Sequence, residues 1–318
     1  MAASDRTRWL GLTVLSVGVA MIIVDATIVN VALPSIIREF DLALADAEWI
    51  NSIYSLVFAA LLITLGKVGD MYGRRRMFMI GLVVFVGASM LAGLSNDGSS
   101  LILARFLQGV GAAVILPATL STVNATFQGK ERGIAFGVWG SVIGGMAALG
   151  PLLGGWLTTE HSWRWAFYIN VPIGAVALVG AVLWVRETRD TELQRGFDVP
   201  GILLSGLGMA AVVFALIEGP RLGSFKQIDT FSAGPFTWPE NWISPVVLTF
   251  VIGILLLVGF VLNEHVRAQA DKPVLFDLTL FRFKSFSLGN SAASILSLGE
   301  FGLVFVLPLF LQAVFGYS

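Results

Sequence analysis

Hydrophobic residues in this chain run in long unbroken stretches, without the two-residue alternation of a half-buried strand or the one-sided 3.6-residue period of a surface helix. A stretch of about 18 apolar residues or more is long enough to cross hydrocarbon as a helix. Nine such stretches are present: Trp9 to Leu33, Glu48 to Leu65, Met77 to Leu94, Leu101 to Val123, Gly133 to Leu157, Ala166 to Val185, Val199 to Ile217, Ile243 to Leu262 and Phe286 to Leu311. Arg6 and Arg8 precede the first like the start of a signal peptide, but that stretch is too long and lacks a small-residue cleavage site, so it reads as a retained helix. Most connections are short, which makes sequential helices antiparallel neighbours. Two are longer. The segment from Glu218 to Trp242, rich in Gly, Pro, Ser and aromatics, predicts either a small hairpin or cap, or a plain tether. The segment from Glu264 to Lys284 mixes charges with Pro273 and Phe276 and reads as a linker along the membrane surface.

Composition gives the same picture: 56% of the 318 residues are hydrophobic and only 13% are charged. Soluble domains carry about a quarter charged residues, and so much apolar surface cannot be hidden inside one globule. The fold class is therefore an all-α integral membrane protein, with the lipid bilayer as its first partner. A formal net charge of −1 leaves no basic surplus for a nucleic acid. The absence of cysteine removes disulfides, thiolate metal sites and a cysteine nucleophile. His161 and His265 stand far apart, so no metal site and no cofactor is expected. Enzyme chemistry is not expected either, since the chain has no phosphate-loop lysine motif, nucleophile-elbow serine or paired histidines.

Assigning the connections alternately to two sides of a bilayer separates the 20 Lys and Arg residues sharply. One side holds Arg6, Arg8, Lys67, Arg74, Arg75, Arg76, Lys130, Arg132, Arg186, Arg189, Arg195, Arg267, Lys272, Arg282 and Lys284; the other holds Arg38, Arg164, Arg221 and Lys226. The positive-inside rule then places the N-terminus in the cytoplasm and, with an odd number of spans, the end at Ser318 outside.

Ionisable groups in hydrocarbon cost several kcal/mol unless paired or watered, so each is a functional candidate. Asp25 lies in the first span on a face with Gly11, Gly18 and Ala32, which suits close packing or a cavity. Arg105 lies about one turn into the fourth span beside Gln108, Gly109 and Ala112, and could also snorkel outward. Glu300 falls at the centre of the ninth span with Ala293 and Ser297. The fifth span carries Gly133, Gly137, Gly140, Gly144, Gly145, Gly150, Gly154 and Gly155, with Pro151 after Gly150. Such a face suits either a rocking interface with a bend at the proline or plain tight packing. Between spans two and three, the run Gly66 to Arg76 reads as a glycine-punctuated turn in which Asp70 can pair with nearby arginines in one conformation and release them in another.

These residues resemble the major facilitator superfamily and, within it, the fourteen-helix drug:proton antiporters. Gly66, Asp70, Gly73, Arg74 and Arg75 look like that superfamily's signature between helices two and three. Arg105, Gln108, Gly109, Gly111 and Ala112 look like its fourth-helix motif, and Gly150, Pro151, Gly154 and Gly155 like the fifth-helix antiporter motif. Asp25, Thr27, Asn30, Ala32, Leu33 and Pro34 resemble the first-helix motif of the fourteen-helix group. The resemblance implies an N-terminal six-helix bundle over 1–185, a cytoplasmic linker over 186–197 and a two-helix insert over 198–263 with an external loop over 218–242. After these come a second cytoplasmic linker over 264–284 and, over 285–318, the first helix of an incomplete C-terminal bundle.

The implied function is proton-coupled export of small lipophilic or cationic compounds by alternating access, in the plasma membrane and by resemblance the bacterial cytoplasmic membrane. Asp25, Asn30, Arg105, Gln108 and Glu300 would line the coupling and substrate cavity. At about 35 residues per helix, fourteen helices need on the order of 490 residues. The chain thus reads as C-terminally truncated and inactive alone. The alternatives are a non-transporting membrane fragment and a carrier of one specific metabolite.

Overall fold

A computed structural model describes residues 2–190, 196, 198–223, 225–229, 232–233, 236–238 and 243–315; for 2–4, 44–45, 232–233, 236 and 300–315 it describes the backbone alone. The chain is a succession of helices: α1 Ala2–Phe40, α2 Leu44–Tyr72, α3 Arg74–Gly93, α4 Gly98–Thr126, α5 Gly129–Glu160, α6 Trp165–Tyr168, α7 Asn170–Trp184, α8 Val199–Leu222, α9 Pro245–Gln269 and α10 Lys284–Phe315. Each apolar stretch found in the sequence falls within one helix, to within two residues at its ends, except that the sixth straddles α6 and α7. Counting α6 and α7 as one, eight spans among the described residues are long and apolar enough to cross a membrane. The ninth stretch lies in α10, an unbroken helix of 32 residues.

The helices overrun the apolar stretches. α1 has 39 residues, about 58 Å of helix at 1.5 Å per residue against roughly 30 Å of hydrocarbon. Apolar length marks where hydrocarbon ends, whereas backbone hydrogen bonding continues into the polar zone. The break at Ile169 has a covalent cause. Pro172 lacks the N–H that would have met the Tyr168 carbonyl, so the helix is interrupted three residues before the proline.

Hydrocarbon gives no hydrophobic drive to pack one helix on another, so approach depends on small residues. On α4, a Cβ at Gly109 would stand 2.8 Å from the Tyr54 carbonyl oxygen of α2, and one at Gly111 would stand 2.8 Å from the Phe85 amide of α3. These two glycines let α4 sit between α2 and α3 at backbone contact. α1 is held between α5 and α7, and α8 packs on α9 and on α2. Around α1 and α4 the interior is filled by Leu12, Leu15, Phe78, Phe85 and Ile115 toward one end, and by Ile28, Ile36, Leu101 and Phe167 toward the other.

Several expectations are corrected by this packing. On the face of Asp25 the glycines serve close packing, one of the two uses expected of them: Gly11 lies against the Trp184 carbonyl and Gly18 against the Phe78 ring. The fifth-span glycines divide: Gly150 abuts Thr27 and Gly154 abuts Ile28 on α1, whereas a Cβ at Gly133, Gly137, Gly140, Gly144, Gly145 or Gly155 would meet no described atom within 4 Å. Helix α5 continues through Pro151 to Glu160. The run from Gly66 to Arg76 is no open turn; Gly66 to Tyr72 finish α2, Arg74 begins α3, and Gly73 alone stands between them. Glu218 to Leu222 still belong to α8, and the loop beyond carries a two-residue hairpin pairing Ser232–Ala233 with Phe236–Thr237. The segment from Glu264 to Lys284 is helical at both ends. Its first residues finish α9, Leu275 is buried, and a 3-10 turn at Leu278–Arg282 leads into α10, which rests on that turn. Arg195 and the side chain of Glu300 lie outside the described residues.

Candidate functional site

Five helices deliver polar groups to one point in the packed interior. α4 supplies Arg105 and, one turn on, Gln108; α1 supplies Asp25, α3 Ser89, α7 Asn170 and α2 the Tyr54 ring. Asp25, Gln108, Ser89 and Asn170 are each 0% exposed and Arg105 is 1% exposed, so these groups see one another in place of solvent. Arg105 Nη1 donates to Asp25 Oδ2 at 2.5 Å and to Gln108 Oε1 at 2.9 Å, while its Nε donates to the Ile50 carbonyl at 3.0 Å. The guanidinium carbon lies 4.3 Å from the centre of the Tyr54 ring, so the cation also meets an aromatic face. Asp25 Oδ1 accepts from Gln108 Nε2 at 2.8 Å and from Asn170 Nδ2 at 2.7 Å. Ser89 Oγ accepts from the same two amides, at 2.8 Å and 3.2 Å.

The geometry follows from the close approach at Gly109 and Gly111. With α4 pressed between α2 and α3, a side chain one turn before them crosses the middle of the bundle. Arg105 therefore cannot snorkel; it has a carboxylate opposite it and carbonyl and amide oxygens around it. A buried cation and a buried anion each cost several kcal/mol of lost hydration, which close pairing and additional hydrogen bonds offset. What such a cluster can do chemically is exchange partners: a proton on Asp25 would cancel the charge that holds the guanidinium.

A second polar arrangement lies at the α2–α3 junction. Gly73 has φ +118°, outside the range side-chain-bearing residues readily adopt, and a Cβ there would stand 2.8 Å from the Glu187 carboxyl. Glycine thus lets the carboxylate of Glu187, just beyond α7, reach the start of α3. Glu187 accepts from the Arg75 amide at 3.1 Å and the Arg76 amide at 3.2 Å. A carboxylate at a helix N-terminus meets unpaired N–H groups and the positive end of the helix dipole. Arg74 Nε donates to Asp70 Oδ1 at 2.6 Å, and the Arg75 guanidinium donates to the Val182 carbonyl at 2.9 Å. Backbone links finish the clasp: the Arg74 amide donates to the Thr188 carbonyl, and the Asp190 amide to the Asp70 carbonyl, each at 2.9 Å.

Of the residues singled out in the sequence, Asp25, Arg105 and Gln108 meet. Asn30 stands apart from them, exposed on α1, where its Oδ1 accepts from Asn51 Nδ2 of α2 at 2.5 Å. Asp70, Gly73, Arg74 and Arg75 share the junction; Gly66 lies earlier on α2 and packs near Pro117 of α4. Gly150 and Gly154 fix α5 to α1, as described above, with Pro151 between them exposed. Ser89, Asn170, Tyr54 and Glu187 were not picked out. Asn170 offered a signal, being an amide inside the sixth apolar stretch; Glu187 resembles any charge just past a span.

Comparison with known proteins agrees with this architecture. Residues 15–318 match the profile of the Major Facilitator Superfamily. Puromycin resistance protein pur8 of Streptomyces alboniger is 37% identical over 99% of this chain and 58% of its own length. The tetracenomycin C resistance and export protein of Streptomyces glaucescens is 33% identical over 98% of this chain and 54% of its own. Multidrug resistance protein Stp of Mycobacterium tuberculosis (strain CDC 1551 / Oshkosh) is 35% identical over 99% and 55%. The chain thus spans little more than half the length of these relatives. Among solved structures, a peptide transporter POT bound to sulfate aligns with a TM-score of 0.53 at 13% identity, over 81% of this chain and 68% of that one. The human organic anion transporter MFSD10 aligns at 0.52 and 14%, over 71% and 58%. At such identities these two likenesses speak for the fold alone. With its helical architecture and a matching profile from residue 15 onward, the chain belongs to the major facilitator superfamily.

Proposed function

We propose that the full-length protein is a proton-coupled exporter of small lipophilic or cationic compounds, working by alternating access in a bacterial cytoplasmic membrane. The observation that carries this reading is the fully buried Asp25–Arg105 pair, cradled by Gln108, Ser89 and Asn170. In this reading Asp25 holds either a proton or the Arg105 guanidinium. Protonation frees the cation to move, and the helices carrying it are repositioned. The junction of Asp70, Gly73, Arg74, Arg75 and Glu187 is the clasp on the cytoplasmic side, formed in one conformation and opened in the other. Asn30, Glu300 and the second bundle take part in the substrate cavity, and Gly150, Pro151 and Gly154 keep α5 close against α1. Charge asymmetry supports an N-terminus inside and the far end of α10 outside. Relatives bearing names of drug resistance and export support the substrate class.

The test uses the full-length protein in vesicles with the cytoplasmic face outward and an acid interior. The proposal expects saturable accumulation of several unrelated lipophilic cations, abolished when the pH gradient is collapsed. Transport of a single metabolite with indifference to drugs would show a specific carrier instead.

A further inference from the structure

Away from the central pair, a second buried acidic group lies where α8 begins and α9 ends. Asp198 caps α8: its Oδ1 accepts from the Gly201 amide at 3.0 Å and lies 3.2 Å from Arg267 Nε, while its Oδ2 accepts from Asn263 Nδ2 at 2.8 Å. Both oxygens of this carboxylate thus accept from a donor. Glu264, one residue after Asn263 on α9, is 1% exposed. Its Oε2 accepts from the Phe276 amide at 3.1 Å, but among the described residues its Oε1 has no hydrogen-bond partner. That oxygen and Asp198 Oδ2 both lie beside Gly201. A Cβ at Gly201 would collide with Asp198 Oδ2 and, at 2.7 Å, with Glu264 Oε1, and the two side chains are within hydrogen-bonding reach of each other.

Two carboxylate oxygens cannot satisfy each other as anions, since neither has a hydrogen to give. A single proton solves the problem: Glu264 Oε1–H becomes the donor and Asp198 Oδ2 the acceptor. Charges agree with this count. Arg267 is the guanidinium in contact, with Nε also donating to the Pro273 carbonyl at 2.9 Å, so one anion, one neutral acid and one cation leave the cluster balanced. From α2 the charged group facing Glu264 is Lys67, at longer range and shared with Asp70 and Asp190; the segment after α9 faces it with the Leu275 and Phe276 amides. Thr64, Lys67, Val68, Asp198 and Leu275 line a small crevice beside Asp198.

We propose that Asp198 and Glu264 form a proton-binding site at the base of the α8–α9 pair, separate from Asp25, in which one proton is shared between the two carboxylates. The proton also removes the charge repulsion between the two carboxylates, at the place where the start of α8 meets the end of α9. No step of the proposed transport reading requires this site.

Infrared spectroscopy of the protein in lipid nanodiscs, at neutral pH and with glutamate carboxyls isotope-labelled, reads the site directly. A protonated-carboxyl band shifted by the label is expected in the wild type and lost in Glu264→Gln. In Asp198→Asn the acceptor changes from a carboxylate to a neutral amide, so the band should shift in frequency although Glu264 remains; an unmoved band overturns the sharing of the proton with Asp198. Gel filtration checks that both variants stay folded, and Asn263→Ala, which removes one donor to Asp198, should keep the band if a capping variant fails that check. A labelled spectrum without such a band at neutral pH, or a band unchanged in Glu264→Gln, overturns the proposal. A band that disappears on adding sodium at constant pH also overturns it, showing a metal-cation site.

Discussion

At the level of single residues, charge in an apolar stretch was legible and neutral polarity was not. Asp25 and Arg105 stood out because ionised groups are rare in hydrocarbon, and Gln108 because it lies one turn from Arg105. Ser89 and Asn170 did not, since a serine or asparagine in a span can bond its own helix at little cost; only the folded chain shows both turned to Asp25 and Gln108. Asn170→Ala should therefore cost about 1–3 kcal/mol, the penalty for taking a donor from a buried charged acceptor. A lowered midpoint of thermal unfolding in detergent is the expected reading; an unchanged midpoint would mean that Asn170 adds nothing to the cluster. At the junction, Glu187→Gln keeps the shape but removes the capping charge, and Asp70→Asn removes the charge paired with Arg74. Both should reduce transport by the full-length protein while membrane insertion stays normal, and export at wild-type rate in Asp70→Asn would remove the clasp from the account.

Among the helices, existence was readable and extent was not. Apolar length located every span, but the ends of α1, α2 and α9 are polar helix that no hydrophobic count could include. The same limit hides the one-residue junction at Gly73, because Gly66 to Tyr72, glycine-punctuated and charged, are nevertheless the helical end of α2. Glycine spacing was ambiguous for a related reason: a small residue permits contact without specifying a neighbour. On α5, position decides. Gly154→Leu should force α5 off Ile28 and Val31 of α1 and destabilise the chain by about 1–3 kcal/mol. Gly140→Leu in the same 318-residue chain should leave the unfolding midpoint unaltered, because no described atom lies near it. Equal effects from the two substitutions would contradict the placement of α5.

For the molecule as a whole, hydropathy and the distribution of Lys and Arg were enough for fold class and proposed orientation, whereas the pairing of α1 with α5 and α7 came only from the packing. Reporter fusions after Arg76, Arg132 and Arg195 should read cytoplasmic, and those after Asp97, Glu160 and Asp229 external; one reversal breaks the alternation of the spans. The central claim is that Asp25, by exchanging Arg105 for a proton, ties substrate movement to the proton gradient. Asp25→Asn tests it most directly, since the amide keeps size and one acceptor oxygen but can neither ionise nor balance the guanidinium. The measurement compares two modes in vesicles carrying the full-length protein: substrate counterflow without a pH gradient, and accumulation driven by one. The account predicts that Asp25→Asn retains counterflow and loses gradient-driven accumulation. Accumulation at the wild-type level under the pH gradient would contradict it.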